Sequence, residues 1–239
     1  MSQKSELNLV VFSGAGMSAE SGIQTFRDTN GLWENYKIEE VATPTAWRAN
    51  PDFVTEFYNL RRKAVIEATP NVAHETIAKL ESDFKITVIT QNIDDLHERA
   101  GSSNVLHLHG NIRYSKSSGP NQESVYFPIE GWKLDKSDIC PEGYQLRPHV
   151  VWFGEEVPAY EKAALILNQA DLLIVIGTSL QVHPAAGLIH LASNAKYKFI
   201  IDPHAEELSV PNDFTRIKDT ASGGMNQIYK TLKKVLSNE

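Results

Sequence analysis

Leu7-Asn8-Leu9-Val10-Val11-Phe12, followed after Ser13 by Gly14-Ala15-Gly16-Met17-Ser18-Ala19-Glu20, is the stretch whose reading decides the fold. The first six residues have the length and the β-branched, apolar content of a buried parallel strand. Gly14 and Gly16, one residue apart, let the backbone turn tightly and leave room for a phosphate to approach it. A strand running into a glycine turn opens a dinucleotide-binding unit. The third glycine, Gly22, falls off the usual spacing, so these residues alone equally fit a plain strand-to-loop turn.

Working outward, further apolar runs predict strands at Lys85–Thr90, Val105–Leu108, Leu172–Ile176 and Lys198–Ile201. Helical patterns lie between several of them. Asn71 is a fitting cap for a helix from Val72 to Leu80, with Ala73, Ile77 and Leu80 on one face. A second begins at Pro184 and runs to Ala195, with proline in the first turn. The last carries the stripe Met225, Ile228, Leu232, Val235 and Leu236. Strands alternating with helices mean an α/β fold built on a Rossmann-like, doubly wound parallel sheet. Two stretches interrupt the alternation, an aromatic one at about 27–69 and a polar one at about 112–146. Both read as insertions forming a smaller module beside a Rossmann-like part of about 1–26, 70–111 and 147–239.

The 239 residues, 41% hydrophobic and 22% charged, suit a globular protein of one domain, or one domain carrying a smaller insertion. No apolar stretch is long enough to cross a bilayer, and Met1 to Glu6 lack a signal-peptide core. The single cysteine, Cys140, excludes an internal disulfide, so a cytoplasmic location is expected. A net charge of −7 argues against a nucleic-acid or anionic-membrane surface. It suits lysine-bearing partners, and it is equally what solubility asks of any surface.

Thr90-Gln91-Asn92-Ile93-Asp94-Asp95-Leu96-His97 stands at the end of a predicted strand, where α/β sheets gather ligands. Its amides and carboxylates suit a carboxamide and ribose hydroxyls; the plain alternative is a loop in which Asp94 or Asp95 caps the next helix. In Val105-Leu106-His107-Leu108-His109-Gly110 the two histidines share a face if the run is a strand. A metal pair would need further ligands that the sequence does not declare, whereas His109 before glycine at a strand end suits proton transfer. Gly177-Thr178-Ser179 closes another strand with small residues. Arg147-Pro148-His149-Val150-Val151-Trp152-Phe153-Gly154-Glu155 reads as an extended run, either an edge strand able to take up a peptide or an ordinary core strand.

In order and spacing these segments resemble the sirtuins, NAD-dependent lysine deacylases, over nearly the whole chain. The run Gly14 to Ile23 with Thr25-Phe26-Arg27, then Gln91-Asn92-Ile93-Asp94, His109-Gly110, Val151 to Glu155 and Gly177-Thr178-Ser179 look like that family's signatures. Phe57-Tyr58-Asn59-Leu60-Arg61-Arg62 and Asn92 to Gly101 are most like those of the bacterial CobB-type deacylases. The resemblance implies NAD as cofactor. Gly14, Ala15, Gly16, Ser18, Gly22, Ile23, Phe26, Arg27 and Trp33 would wrap its diphosphate and ribose. Gln91, Asn92, Ile93 and Asp94 would hold the nicotinamide end, and Gly177, Thr178, Ser179, Asp202 and Ala221 the remainder. It implies catalysis by His109 as general base with Asn92 and Asp94, and an acyl-lysine protein or peptide seated on Val151, Trp152, Phe153, Gly154 and Glu155. The products would be free lysine, nicotinamide and O-acyl-ADP-ribose. The pair Tyr58 and Arg61, three apart, is similar to the one with which some sirtuins recognise acidic acyl groups such as succinyl; its plain alternative is an aromatic–cation pair on an exposed helix.

Two departures stand out. Most sirtuins hold a structural zinc with four cysteines, but here Tyr114, Ser115 and Ser118 stand near the first pair and Cys140-Pro141-Glu142-Gly143 keeps one thiol. No zinc is expected, and Tyr126, Phe127, Trp132, Leu134 and Ile139 are expected to pack in its place. The usual asparagine after the Lys198–Ile201 strand is replaced by Asp202-Pro203-His204. NAD hydrolysis or mono-ADP-ribosylation is the rival chemistry for the same fold, and a non-enzymatic NAD sensor a third reading.

Overall fold

The computed structural model describes residues 7–24, 32–33 and 36–237, without the side chains of 32–33 and 235–237. Six parallel strands form the main sheet in the order Phe214–Ile217, Tyr197–Ile201, Leu172–Ile176, Asn8–Ser13, Lys85–Thr90 and Val105–His107. Alternation along the strands splits the core between the two faces. Leu9, Val11, Val88 and Ile174 face the helices Val72–Leu80 and Ala221–Ser237, meeting Ile77, Leu80, Met225, Ile228 and Leu232. Val10, Phe12, Ile89, Leu173 and Val175 face the other way, against Ala163 and Leu167 of the Tyr160–Asn168 helix. Each buried large side chain contributes roughly 1.5–3 kcal/mol relative to exposure, so a strand apolar on both faces is stable only between two helical layers. Asn71 caps the Val72–Leu80 helix as its sequence predicts, accepting the N–H groups of Ala73 (3.0 Å) and His74 (3.3 Å).

Beside this sheet lie the helix Pro51–Glu67 and a three-stranded antiparallel sheet in which Gly110–Ser117 pairs with Tyr126–Pro128 and Leu146–Val150. Asn50 accepts Phe53 N–H (3.1 Å) and Pro51 occupies the first turn, which together start the helix. Its inner face joins Ile112, Val150 and Trp152 in an aromatic core with Phe57, Tyr58 and Val65.

Two expected elements differ, and one strand is new. Pro184–Ala195 is a 3-10 helix over Ala185–Leu191 rather than an α-helix. Ala185 and Leu188, both fully buried, lie three apart, the period of that tighter turn, and Gly187 weakens the α alternative. The Phe214–Ile217 strand is additional to those expected. The extended run ends as a strand at Val150, at the edge of the three-stranded sheet, and Val151–Glu155 turns away from it.

Candidate active site

The main sheet reverses its strand order between Asn8–Ser13 and Leu172–Ile176, and the two glycine loops interlock there. Gly14 N–H donates to Ile176 O (3.0 Å) and Gly16 N–H to Gly177 O (2.8 Å). Open α/β sheets bind ligands at such a switch point. The structure gives the glycines a reason of its own, beside the phosphate room expected of them. A Cβ on Gly14 would stand 2.7 Å from Thr178 Cβ, and one on Gly16 2.8 Å from Gly177 Cα, so loop-against-loop packing excludes a side chain. Gly22, at φ +85° in open space, is glycine for its left-handed backbone.

Around this junction the expected nicotinamide-side residues converge. Ser18 Oγ donates to Asp94 Oδ2 (2.9 Å) and accepts from Asn92 Nδ2 (3.1 Å), while Gln91 Nε2 donates to Thr178 Oγ1 (2.9 Å). Asp94 also accepts Leu96 N–H (3.2 Å), so it serves the following helical turn as well as Ser18. Burial pushes its carboxyl above the ordinary range, against the pull of those bonds. Ile23 and Ile93 pack against the aromatic core, and Ala15 and Ser179 are half-buried on the two loops. Asp202 is buried at the end of Tyr197–Ile201 and accepts His204 N–H (2.9 Å); Ala221 opens the last helix. Phe26, Arg27 and the Trp33 side chain lie outside the described residues.

The two histidines of the H-x-H run do different things. His109 Nδ1 lies 3.0 Å from Gln91 O. A carbonyl only accepts, so the neutral ring carries its proton on Nδ1 and keeps a basic lone pair on Nε2. Burial favours that neutral form and lowers its pKa below the ordinary value, against the Gln91 bond, which raises it. His107 Nε2 meets Glu98 Oε1 (2.7 Å) and its Nδ1 meets Asn92 O (3.1 Å). Burial opposes its charge, but Glu98 and Asn92 together raise its pKa. With both His107 nitrogens engaged, the metal pair has no basis, and among the described residues no three His, Cys, Asp or Glu gather to hold an ion.

Against this site stands the Val151–Glu155 turn, fixed by Val151 N–H to His109 O (2.9 Å). Phe153 and Gly154 are exposed, the latter at φ +91°. Trp152 is buried and its Nε1–H donates to Tyr58 Oη (3.0 Å). Glu155, expected at the peptide surface, is instead turned inward. It receives Arg147 at both oxygens (2.6 and 2.9 Å) and also accepts Trp152 N–H (2.8 Å). The Arg147 guanidinium lies 3.3 Å over the Trp152 ring. Arg147 was not among the expected site residues. Its signal was a charge between Leu146 and Pro148 in an apolar strand, where a buried cation demands a partner. Tyr58 and Arg61 are 0% and 4% exposed, which rules out the exposed-helix alternative. Glu20, also missed, accepts Ser222 N–H (2.8 Å) and Thr220 Oγ1 (3.2 Å), tying the glycine loop to the last helix.

These geometries sit within a recognisable sequence. Residues 14–184 match the Sir2 family, well over half of the chain. The chain belongs to the Sir2 family. It is 47% identical to a protein of Helicobacter pylori strain J99 named NAD-dependent protein deacylase, over 97% of this chain and 98% of that one. A protein of Bacteroides thetaiotaomicron with the same name is 45% identical over 94% and 97% of the two chains. Among solved structures, a complex of a mutant Sir2 homologue with ADP-ribose superposes with a TM-score of 0.87 at 36% identity, covering 100% of this chain and 99% of that one. A Sir2 homologue–NAD complex gives 0.82 at 39% identity, over 97% and 91%.

The donor set of this Sir2 chain fits a dinucleotide. Buried amides, a carboxylate and hydroxyls line a switch point, with a neutral imidazole beside them. The residues do not fit the four-thiolate zinc of most sirtuins. Cys140 is buried with Ile129, Leu134, Leu146 and Phe127, and its Sγ meets Ser117 Oγ at 3.4 Å. Phe127 and Leu134 pack there as expected, but Tyr126, Trp132 and Ile139 are 40%, 39% and 63% exposed and do not. Tyr126 instead stacks on His149 (3.8 Å between centroids), where burial drives that imidazole down to about 4.

Proposed function

We propose that this Sir2 protein is an NAD-dependent protein-lysine deacylase that removes succinyl as well as acetyl groups and holds its second insertion without zinc. The observation that carries the reading is His109, with its proton directed at Gln91 O and a bare Nε2 held neutral by burial. NAD, when bound, supplies the ADP-ribose that accepts the acyl group as nicotinamide leaves. Gln91, Asn92 and Asp94 hold the nicotinamide end in place, with Ser18 ordering the amide and carboxylate against each other. His109 Nε2 takes the proton of a ribose hydroxyl, a contribution typically of 10²–10⁴-fold. Trp152 and the exposed Phe153–Gly154 turn, beside His109, receive the acyl-lysine and exclude water from the reacting centre.

Acyl choice rests with Tyr58 and Arg61. Arginine presents a planar fork that matches a carboxylate, and burial strengthens the contact. Nicotinamide, O-acyl-ADP-ribose and free lysine are the products, and acylated proteins the partners. Arg61→Met tests the acyl reading. It should lose roughly 10- to 150-fold in kcat/KM on a succinyl-lysine peptide, the worth of a charge-assisted bond, and leave acetyl-lysine turnover nearly intact. Equal loss on both peptides would make Arg61 a structural residue only.

A further inference from the structure

Two histidines that this chemistry does not use face each other beneath the site. His74 and His97 are 0% and 1% exposed, and their rings meet edge to face with centroids 4.8 Å apart. Each has one nitrogen with a defined outer partner. Asn71 N–H donates to His74 Nδ1 (3.3 Å), so the proton of neutral His74 sits on Nε2. His97 Nε2 lies 3.0 Å from Ser13 Oγ, and Ser13 gives its own hydrogen to Thr90 Oγ1 (2.9 Å). A hydroxyl has one hydrogen to give, so Ser13 accepts from His97, whose proton therefore also sits on Nε2. The inward atoms are then a donor, His74 Nε2–H, and an acceptor, His97 Nδ1. Both are enclosed, and neither has another partner among the described residues. Leaving such a complementary pair unmade is costly in a core.

We propose that His74 and His97 form one donor–acceptor unit, His74 Nε2–H toward His97 Nδ1, directly or through one enclosed water, that braces the glycine loop against the Asn92 strand end. On one side the unit ends at Asn71, whose Nδ2 donates to Met17 O (2.8 Å) and Ser21 Oγ (3.2 Å). On the other it ends at Thr90 Oγ1, which accepts Asn92 N–H (3.0 Å). Burial lowers the pKa of both rings, that of His74 to about 4, so the unit is neutral. His74 and His97 are thus positioning residues for the two walls of the nicotinamide pocket. That consequence rests on the NAD placement above, whereas the order of protons does not.

Long-range proton–nitrogen correlation on the full chain with labelled histidine reads the order directly. Near neutral pH both rings should be neutral with the proton on Nε2. A proton on His97 Nδ1, or a charged ring at either position, overturns the unit. Kinetics then test the brace. His97→Gln, which keeps an N–H for Ser13, should leave KM for NAD within about threefold. His97→Leu should raise it roughly tenfold, the size of one buried hydrogen bond, with kcat at saturating NAD much less changed. Should the leucine variant not fold, His74→Phe serves, since it removes the inward donor while Ser13 still fixes the His97 proton on Nε2; KM for NAD should rise roughly tenfold, and an unmoved KM overturns the brace. Equal KM shifts in the glutamine and leucine variants overturn the hydrogen-bonding role. The expected tautomers with KM unmoved by His97→Leu overturn the brace alone; the placement of nicotinamide on these walls fails separately, if Asn92→Ala also leaves KM for NAD unmoved.

Discussion

Tyr58→Phe deletes one oxygen and separates the two duties that oxygen performs. Tyr58 Oη accepts Trp152 Nε1–H at 3.0 Å inside a core where Tyr58 is 0% and Trp152 2% exposed. Removing it strands an indole N–H with no acceptor and no access to water, at a cost of about 1–3 kcal/mol. For a chain of this size each kcal/mol is worth about 2–4 °C, so Tm should fall by roughly 2–12 °C. The second duty is the one proposed toward substrate. Burial pushes the phenol pKa up, so the group stays protonated and, on that proposal, would donate O–H to an acyl carboxylate. A hydrogen bond to a charged acceptor is worth about 1.5–3 kcal/mol, or roughly 10- to 150-fold in kcat/KM for succinyl-lysine. Acetyl-lysine has no such acceptor and should change little. The assay compares succinyl and acetyl forms of one peptide at saturating NAD, well below the variant's Tm, alongside a thermal melt. An equal fall on both peptides refutes the acyl contact, and an unchanged Tm refutes the Trp152 bond.

His109→Ala should still bind NAD but lose 10²–10⁴-fold in turnover with acyl peptide saturating; in the wild type, the base must be deprotonated, so kcat/KM should rise with pH through a midpoint below the ordinary histidine value of about 6.5. Glu155→Gln leaves Arg147, whose side chain is 5% exposed, without its carboxylate, and denaturant melts at neutral pH should show a loss of about 3–5 kcal/mol. Burial opposes the Glu155 charge, but the Arg147 bond prevails and its folded pKa is lowered. Its stabilisation is therefore complete above the unfolded value of about 4.3 and fades as pH falls through the folded one, a loss the Gln variant should not show. Elemental analysis should find no stoichiometric zinc, and a chelator should leave the melt unchanged; either contrary result removes the proposal that packing around Cys140 replaces a metal.

Strands of unmixed apolar character were legible, and Lys85–Thr90 and Leu172–Ile176 match their expected bounds. Phe214–Ile217 was not, because a four-residue edge strand containing Thr215 and Arg216 has no apolar run to announce it. Val151-Trp152-Phe153 imitates a strand in composition. What bends it lies elsewhere in the chain: Ala42 O receives Phe153 N–H (3.0 Å) and Arg147 holds Glu155. The same limit applies to the site. Gln91, Asn92, Asp94 and His109 are readable as a motif, but the proton on His109 Nδ1 depends on a carbonyl 18 residues away. Tyr126, Trp132 and Ile139 show that aromatic or apolar content alone does not say which side chains of a small module are inside.

The central claim is that nicotinamide leaves only as an acyl group is taken up. Purified protein incubated with NAD and an acyl-lysine peptide, with products resolved by mass, tests it most directly. One nicotinamide, one free-lysine peptide and one O-acyl-ADP-ribose should form together, and none of them without the peptide. Nicotinamide released at the same rate with no peptide present, or ADP-ribose attached to protein in place of O-acyl-ADP-ribose, would contradict it.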